Sequence, residues 1–108
     1  MHFRELSPRR LRGWLENDPE SVFILDVRQP FEFDAARIEP STLIPLNQLP
    51  GRLGEIPQDV RVVCLCHHGV RSAHACAMLA RAGWERIYNL SGGIDHWSMS
   101  EDPLVPRY

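Results

Sequence analysis

An open α/β sheet, mostly parallel, with about five strands and helices on both faces, is the architecture this sequence predicts. Three observations carry that expectation. Val22 to Val27 is a nearly continuous apolar run broken only by Asp26, as a strand covered on both faces requires. Val62 to Cys66 is a second such run, and a helical pattern from Arg71 to Ala82 follows it after a short loop. Arg86 to Leu90 reads as a last strand, leading through Ser91-Gly92-Gly93 into a closing helix near Ile94 to Met99. Strand and helix alternating in this rhythm indicate a sheet built from βαβ units.

The remaining elements fall between these runs. Ser7 can cap a helix with Pro8 at its first position, where the missing N–H costs nothing. Leu6 can pack on Leu11 as a hydrophobic staple, and Leu11, Trp14 and Leu15 share one helical face. Asn17-Asp18-Pro19 ends that helix. A helical turn is expected from Pro30 to Ala36, and a brief strand at Thr42-Leu43-Ile44 stopped by Pro45. A short helix from Gln48 to Glu55 is expected, weakened by Pro50, Gly51 and Gly54. The Arg71–Ala82 helix is apolar nearly all round, interrupted by Ser72, His74 and Arg81, and reads as buried. Gly83 suits its end.

The chain of 108 residues is read as one domain spanning 1–108, with one core. Hydrophobic residues make up 44% and charged residues 24%, so disorder along the whole chain is not expected. With 12 basic and 14 acidic residues and no long run of Lys or Arg, no nucleic-acid partner is expected. The start lacks the apolar centre of a signal peptide, and no apolar run is long enough to span a bilayer. A cytoplasmic protein with no membrane partner is therefore the expectation. Three cysteines, Cys64, Cys66 and Cys76, direct attention to catalysis or metal binding rather than to a disulfide framework.

Cys66 ends the best strand, where open α/β sheets bind ligands. The loop His67-His68-Gly69-Val70-Arg71 joins it to a helix N-terminus. There the first backbone N–H groups lack helical partners and the helix carries partial positive charge. Gly69 permits a positive φ, which turns N–H groups inward as an anion nest, and Arg71 adds a cation. Together these favour thiolate over thiol at Cys66.

The loop Cys66-His67-His68-Gly69-Val70-Arg71-Ser72 resembles the active-site loop of the single-domain rhodanese (thiosulfate sulfurtransferase-like) family. Leu25-Asp26-Val27-Arg28 with Glu32-Phe33, Ile44-Pro45-Leu46, and Asn89-Leu90-Ser91-Gly92-Gly93-Ile94 with Trp97 resemble its other segments in the same order. The resemblance covers nearly the whole chain. It departs at Ala36-Arg37-Ile38-Glu39-Pro40-Ser41, where relatives often carry Gly-His-Ile-Pro-Gly-Ala.

The resemblance implies a sulfurtransferase acting by double displacement. Cys66 takes the outer sulfur of a donor such as thiosulfate, sulfite leaves, and the Cys66 persulfide passes its sulfur to cyanide or a thiol. Residues 67–72 would form the binding loop, with Asp26 and Arg28 supporting it as a buried or half-buried pair. A small-molecule donor and acceptor are implied, and a sulfur-relay or protein-interaction module with a protein donor or acceptor is the second class. The spacing of four residues between Cys66 and Arg71 differs from the five used by phosphatases of this fold, and arsenate reductases among its fold-mates also tend to the longer loop; both are the less favoured enzyme classes.

Cys64, on the same side of the strand as Cys66, and Cys76 read as core residues. His67 and His68 with Cys64 and Cys66 raise a metal reading. No second cysteine pair stands at zinc-finger spacing, so no metal and no other cofactor is expected. The two histidines are instead placed at the pocket mouth, and His74 and Arg81 on a solvent-facing stripe.

Overall fold

The apolar runs become the sheet. Strands β1 (Arg4–Leu6), β2 (Val22–Asp26), β3 (Thr42–Leu43), β4 (Arg61–Leu65) and β5 (Ile87–Leu90) are all parallel, in the order β1-β5-β4-β2-β3. They are seen in a computed structural model that describes residues 2–108. Helices α1 (Pro8–Asn17), α2 (Pro30–Ala35), α3 (Val70–Arg81) and α4 (Gly93–Ser100) connect and flank them.

Alternation along the strands divides the core into two layers. Val62, Cys64 and Cys66 face one side with Leu25, Val27 and Ile87, covered by Ala75, Cys76 and Leu79 of α3 and by Leu49. Val63 and Leu65 face the other with Ile24 and Leu90, covered by Leu11, Trp14 and Leu15 of α1 and by Ile94 and Trp97 of α4. Central strands buried on both faces explain why β2 and β4 read as continuous apolar runs.

Local signals act as anticipated at several ends. The Ser7 side chain accepts from Arg10 N–H, Pro8 opens α1, and Asp18 closes it. Leu6 and Leu11 are both fully buried in one cluster.

Three expectations require correction. β1 was not anticipated, because in Arg4-Glu5-Leu6 only Leu6 is buried and three residues show no periodicity. The segment read as one helix from Gln48 to Glu55 is two 3₁₀ turns, Leu46–Gly51 and Leu53–Glu55. Pro50 lies inside the first and glycines follow, so an α-helical ladder cannot run through. Helix α3 is not buried all round: its buried face is Ser72, Ala75, Cys76 and Leu79, while Val70, His74 and Arg81 are exposed. Alanine satisfies an apolar pattern without demanding burial, and the polar Ser72 goes inside because it has partners there.

Among the described residues, no helix is long and apolar enough to cross a membrane.

Candidate active site

The site is the loop between β4 and α3. Cys66 lies one residue beyond the end of β4, and only 1% of its surface is exposed. Gly69, at φ 109°, reverses the chain so that two backbone donors point at the sulfur. Gly69 N–H donates to Cys66 Sγ at 3.1 Å and Ser72 N–H at 3.4 Å. These are orphan donors of the α3 N-terminus turned onto a sulfur.

Ser72 Oγ is 3.3 Å from the same sulfur and donates to Asn89 Oδ1 at 2.5 Å. The Asn89 amide nitrogen faces Gly69 O at 3.1 Å and the Glu5 carboxylate, both acceptors, so its oxygen must face Ser72. The Ser72 proton is thereby committed to Asn89. The two backbone N–H groups are left as the donors to sulfur in this arrangement.

Helix α4 holds the loop from the other side. Ile94 N–H donates to Cys66 O at 2.9 Å and Asp95 N–H to His67 O at 3.1 Å. Backbone approaches backbone so closely here that Gly93, at φ 63°, has no room for a side chain. A Cβ there would fall 2.5 Å from the Cys66 carbonyl oxygen and nearer still to that of His67. Gly93→Ala is therefore expected to cost about 1–3 kcal/mol from backbone strain alone. The added contact with the loop carbonyls should also change the alkylation rate of Cys66. Urea unfolding and alkylation kinetics both matching the parent protein would refute this close-packing account.

Arg71 does not stand free beside the sulfur. Its guanidinium makes a two-pronged pair with Glu32, Nη1 to Oε1 at 2.6 Å and Nη2 to Oε2 at 2.9 Å. Glu32 is nearly buried and also accepts from Gln29 N–H at 3.0 Å and from the Tyr108 hydroxyl at 2.8 Å. The hydrogen bonds from Arg71 dominate over burial and hold the Glu32 carboxyl down to about 2. The same pairing raises the Arg71 pKa above its ordinary value. Since the folded pKa lies below the ordinary 4.5, this carboxylate stabilises the fold fully above about pH 4.5 and loses that contribution as pH falls toward 2. The stability gap between the parent protein and Glu32→Gln should close over that window in acid titration. A gap that persists unchanged to pH 2 would contradict the assignment.

Asp26 and Arg28 are both fully buried and joined, with Nη2 to Oδ2 at 2.6 Å. Arg28 also donates to the carbonyls of Glu32 at 3.2 Å and Ala36 at 2.6 Å and to Tyr108 Oη at 2.9 Å. Burial acts to push the Tyr108 hydroxyl up to about 12, so it stays protonated and donates to Glu32.

His67 is half-buried between two parallel rings, His68 at 4.1 Å and Tyr108 at 4.1 Å. Burial, followed by the charge of His68, lowers its pKa. His67, His68 and Asp95 bring ligand-type atoms within 4.8 Å of one another, but Arg107 already pairs with Asp95, with Nε to Oδ1 at 2.9 Å. This grouping differs from the cysteine–histidine set the sequence raised. Cys64 and Cys76 lie wholly in the core; the neighbouring Cys64 thiol, then burial, push the Cys76 thiol far up.

The Asp26–Arg28 pair joins the loop through Glu32, whose carbonyl accepts from Arg28 and whose carboxylate pairs with Arg71. Sequence reasoning did not single out Asn89, Gly93 or Tyr108 as site residues, and it noted Glu32 only in the family resemblance. Three residues after Gln29, Glu32 reaches back from the first turn of α2 to accept from Gln29 N–H, the half of a capping box that the spacing allows.

The family model for the rhodanese-like domain matches residues 7–100. The chain belongs to the rhodanese-like domain family. It is 40% identical over 88 residues to a sulfurtransferase of Allochromatium vinosum, covering 82% of each chain. It is 32% identical over 108 residues to the thiosulfate sulfurtransferase GlpE of Actinobacillus pleuropneumoniae, covering 98% of this chain and 96% of GlpE. It also spans 26% of the longer probable adenylyltransferase/sulfurtransferase MoeZ of Mycobacterium tuberculosis, at 38% identity over 95% of this chain. Among solved structures, a rhodanese-related protein of Thermoplasma volcanium superposes with a TM-score of 0.83 at 29% identity, covering 92% of this chain and 94% of that one. The rhodanese-like sheet and its sulfurtransferase relatives agree with the expected fold and broad chemistry.

Proposed function

We propose that residues 1–108 act as one rhodanese-like domain that moves a sulfane sulfur from a donor to a thiophilic acceptor through a persulfide on Cys66. The observation that carries this reading is the pair of N–H groups, Gly69 and Ser72, directed at the Cys66 sulfur at the strand end. Such donors stabilise negative charge on the sulfur before transfer and hold the persulfide after it. Transfer is then two displacements at one sulfur, with no separate base needed if the thiolate is preformed. His67, His68, Gly69, Val70, Arg71 and Ser72 frame the sulfur, and Asp26 and Arg28 fix the strand end beneath.

The test is trapping. Incubation with a sulfane donor should add the mass of one sulfur to the peptide containing Cys66, and added cyanide or thiol should remove it. A donor-treated protein whose added sulfur lies on Cys64 or Cys76 would overturn the reading.

A protein acceptor or donor, as in a sulfur relay, is favoured by a specific feature. Phe31 and Val70 are 71% and 70% exposed, and each directly precedes a member of the Glu32–Arg71 pair. Exposed apolar side chains at a site rim suit a protein surface.

A further inference from the structure

The guanidinium groups around the loop are already answered by carboxylates. Arg71 pairs with Glu32, Arg28 with Asp26 and Arg107 with Asp95. On the opposite flank the Glu5 carboxylate takes hydrogen bonds from Asn89 and Ser91. Four carboxylates therefore face three guanidinium groups at this end of the sheet. Glu32 is the member that matters for the loop. Its side chain is 7% exposed, and donors from Gln29, Tyr108 and Arg71 hold it in place. An ion pair of this kind presents a dipole instead of a net charge, and its pull on a distant anion fades steeply.

We infer that Glu32 determines donor specificity by withholding the Arg71 charge, so that the site favours an organic persulfide, R–S–SH, over a sulfonate dianion such as thiosulfate. This rests on the Cys66 sulfur-transfer reading and names its substrate class. Thiosulfate must seat a doubly charged sulfonate end besides the sulfur it gives up, and the rim holds no unpaired guanidinium among the groups named. A persulfide asks only for the sulfur nest, and the flat ring stack of His68, His67 and Tyr108 beside the loop offers a surface for its R group. In the step itself the Cys66 thiolate attacks the terminal sulfur. An S–S bond forms to Sγ as the R–S–S bond breaks. R–S⁻ leaves with the electron pair, and the proton stays on the transferred sulfur.

The experiment loads Cys66 from cysteine persulfide or from thiosulfate, and follows the added sulfur by mass spectrometry in single turnovers at low and high salt. In the parent protein, persulfide should load faster, and the thiosulfate rate should stay flat or rise with salt. Glu32→Gln, confirmed folded by thermal melt, should raise the thiosulfate rate relative to the persulfide rate by about tenfold at low salt, with the gain shrinking as salt screens it. A parent protein that loads from thiosulfate at least as fast, with a rate falling steeply as salt rises, overturns the inference and leaves sulfur transfer standing. That measurement needs no variant. An unchanged donor ratio in folded Glu32→Gln overturns it too. Failure of both donors to load Cys66 removes the sulfur-transfer reading and this inference with it.

Discussion

Cys66→Ser is expected to abolish persulfide formation and sulfur transfer while leaving the fold intact, a loss on the order of 10⁴-fold or more. The serine oxygen cannot hold a transferred sulfur as a persulfide, so no partial chemistry survives the exchange. The fold should tolerate it because the site is already polar. Gly69 N–H and Ser72 N–H donate to sulfur in the parent protein and can donate to a hydroxyl oxygen instead. Thermal melts should therefore stay within a few degrees of the parent value. Cys64 and Cys76 remain in this variant, which makes it a test of which thiol works. Both lie in the core, and the Cys76 thiol is held far above the ordinary range by the neighbouring Cys64 thiol and by burial. Substantial turnover in Cys66→Ser would place the chemistry on another residue and end the single-thiol account.

Much of this arrangement was legible in the sequence, for a physical reason. Strands buried on both faces must be apolar throughout, so Val22–Val27 and Val62–Cys66 announced the centre of the sheet. Cys66 at the end of one of them, with Gly69 three residues on, announced the nest. The missing parts depend on distance along the chain. Glu32 shows a capping-box spacing, but its pair with Arg71 joins residues 39 apart. Tyr108 meets Glu32 and Arg28 across 76 and 80 residues, and nothing local marks it. This changes the reading of Arg71: the sequence offered a cation beside the sulfur, and the fold supplies the carboxylate that answers it. Ser72 shows the same limit in reverse. Within an alanine-rich helix it looked like an interruption, yet it is buried because Asn89 and Cys66 satisfy its hydroxyl.

Arg28→Met is expected to destabilise the protein by about 3–5 kcal/mol, because it removes one partner of a buried ion pair and leaves the other charged. Burial alone would lower the Arg28 pKa, but hydrogen bonds to Asp26 and Tyr108 outweigh it and the net shift is upward, so the guanidinium stays charged. It binds both Asp26 oxygens, with Nε to Oδ1 at 2.9 Å and Nη2 to Oδ2 at 2.6 Å. Its remaining donors reach the carbonyls of Glu32 and Ala36 at the first turn and end of α2, and the Tyr108 hydroxyl. One side chain thus ties the end of β2 to α2 and to the C-terminal segment. Methionine matches much of its length but donates to none of these groups: the Ala36 carbonyl loses this donor, the Glu32 carbonyl keeps only Ala36 N–H, and the Asp26 carboxylate keeps only the backbone N–H of residue 28. Asp26→Asn combined with Arg28→Met should recover part of the loss, since the stranded charge is gone while the Ala36 carbonyl remains unanswered. Urea unfolding of the two single variants and the double variant gives the coupling directly. A single-variant loss below about 1 kcal/mol would mean that water reaches Asp26 and that the pair is not the buried tie described. A full loss in the double variant would shift the weight from the ion pair to the carbonyls of α2. The site should follow the same order. Glu32 sits on the turn that Arg28 anchors, so Arg28→Met should loosen Arg71, while the double variant keeps that turn equally unanchored and should show the same change in donor ratio despite its recovered stability.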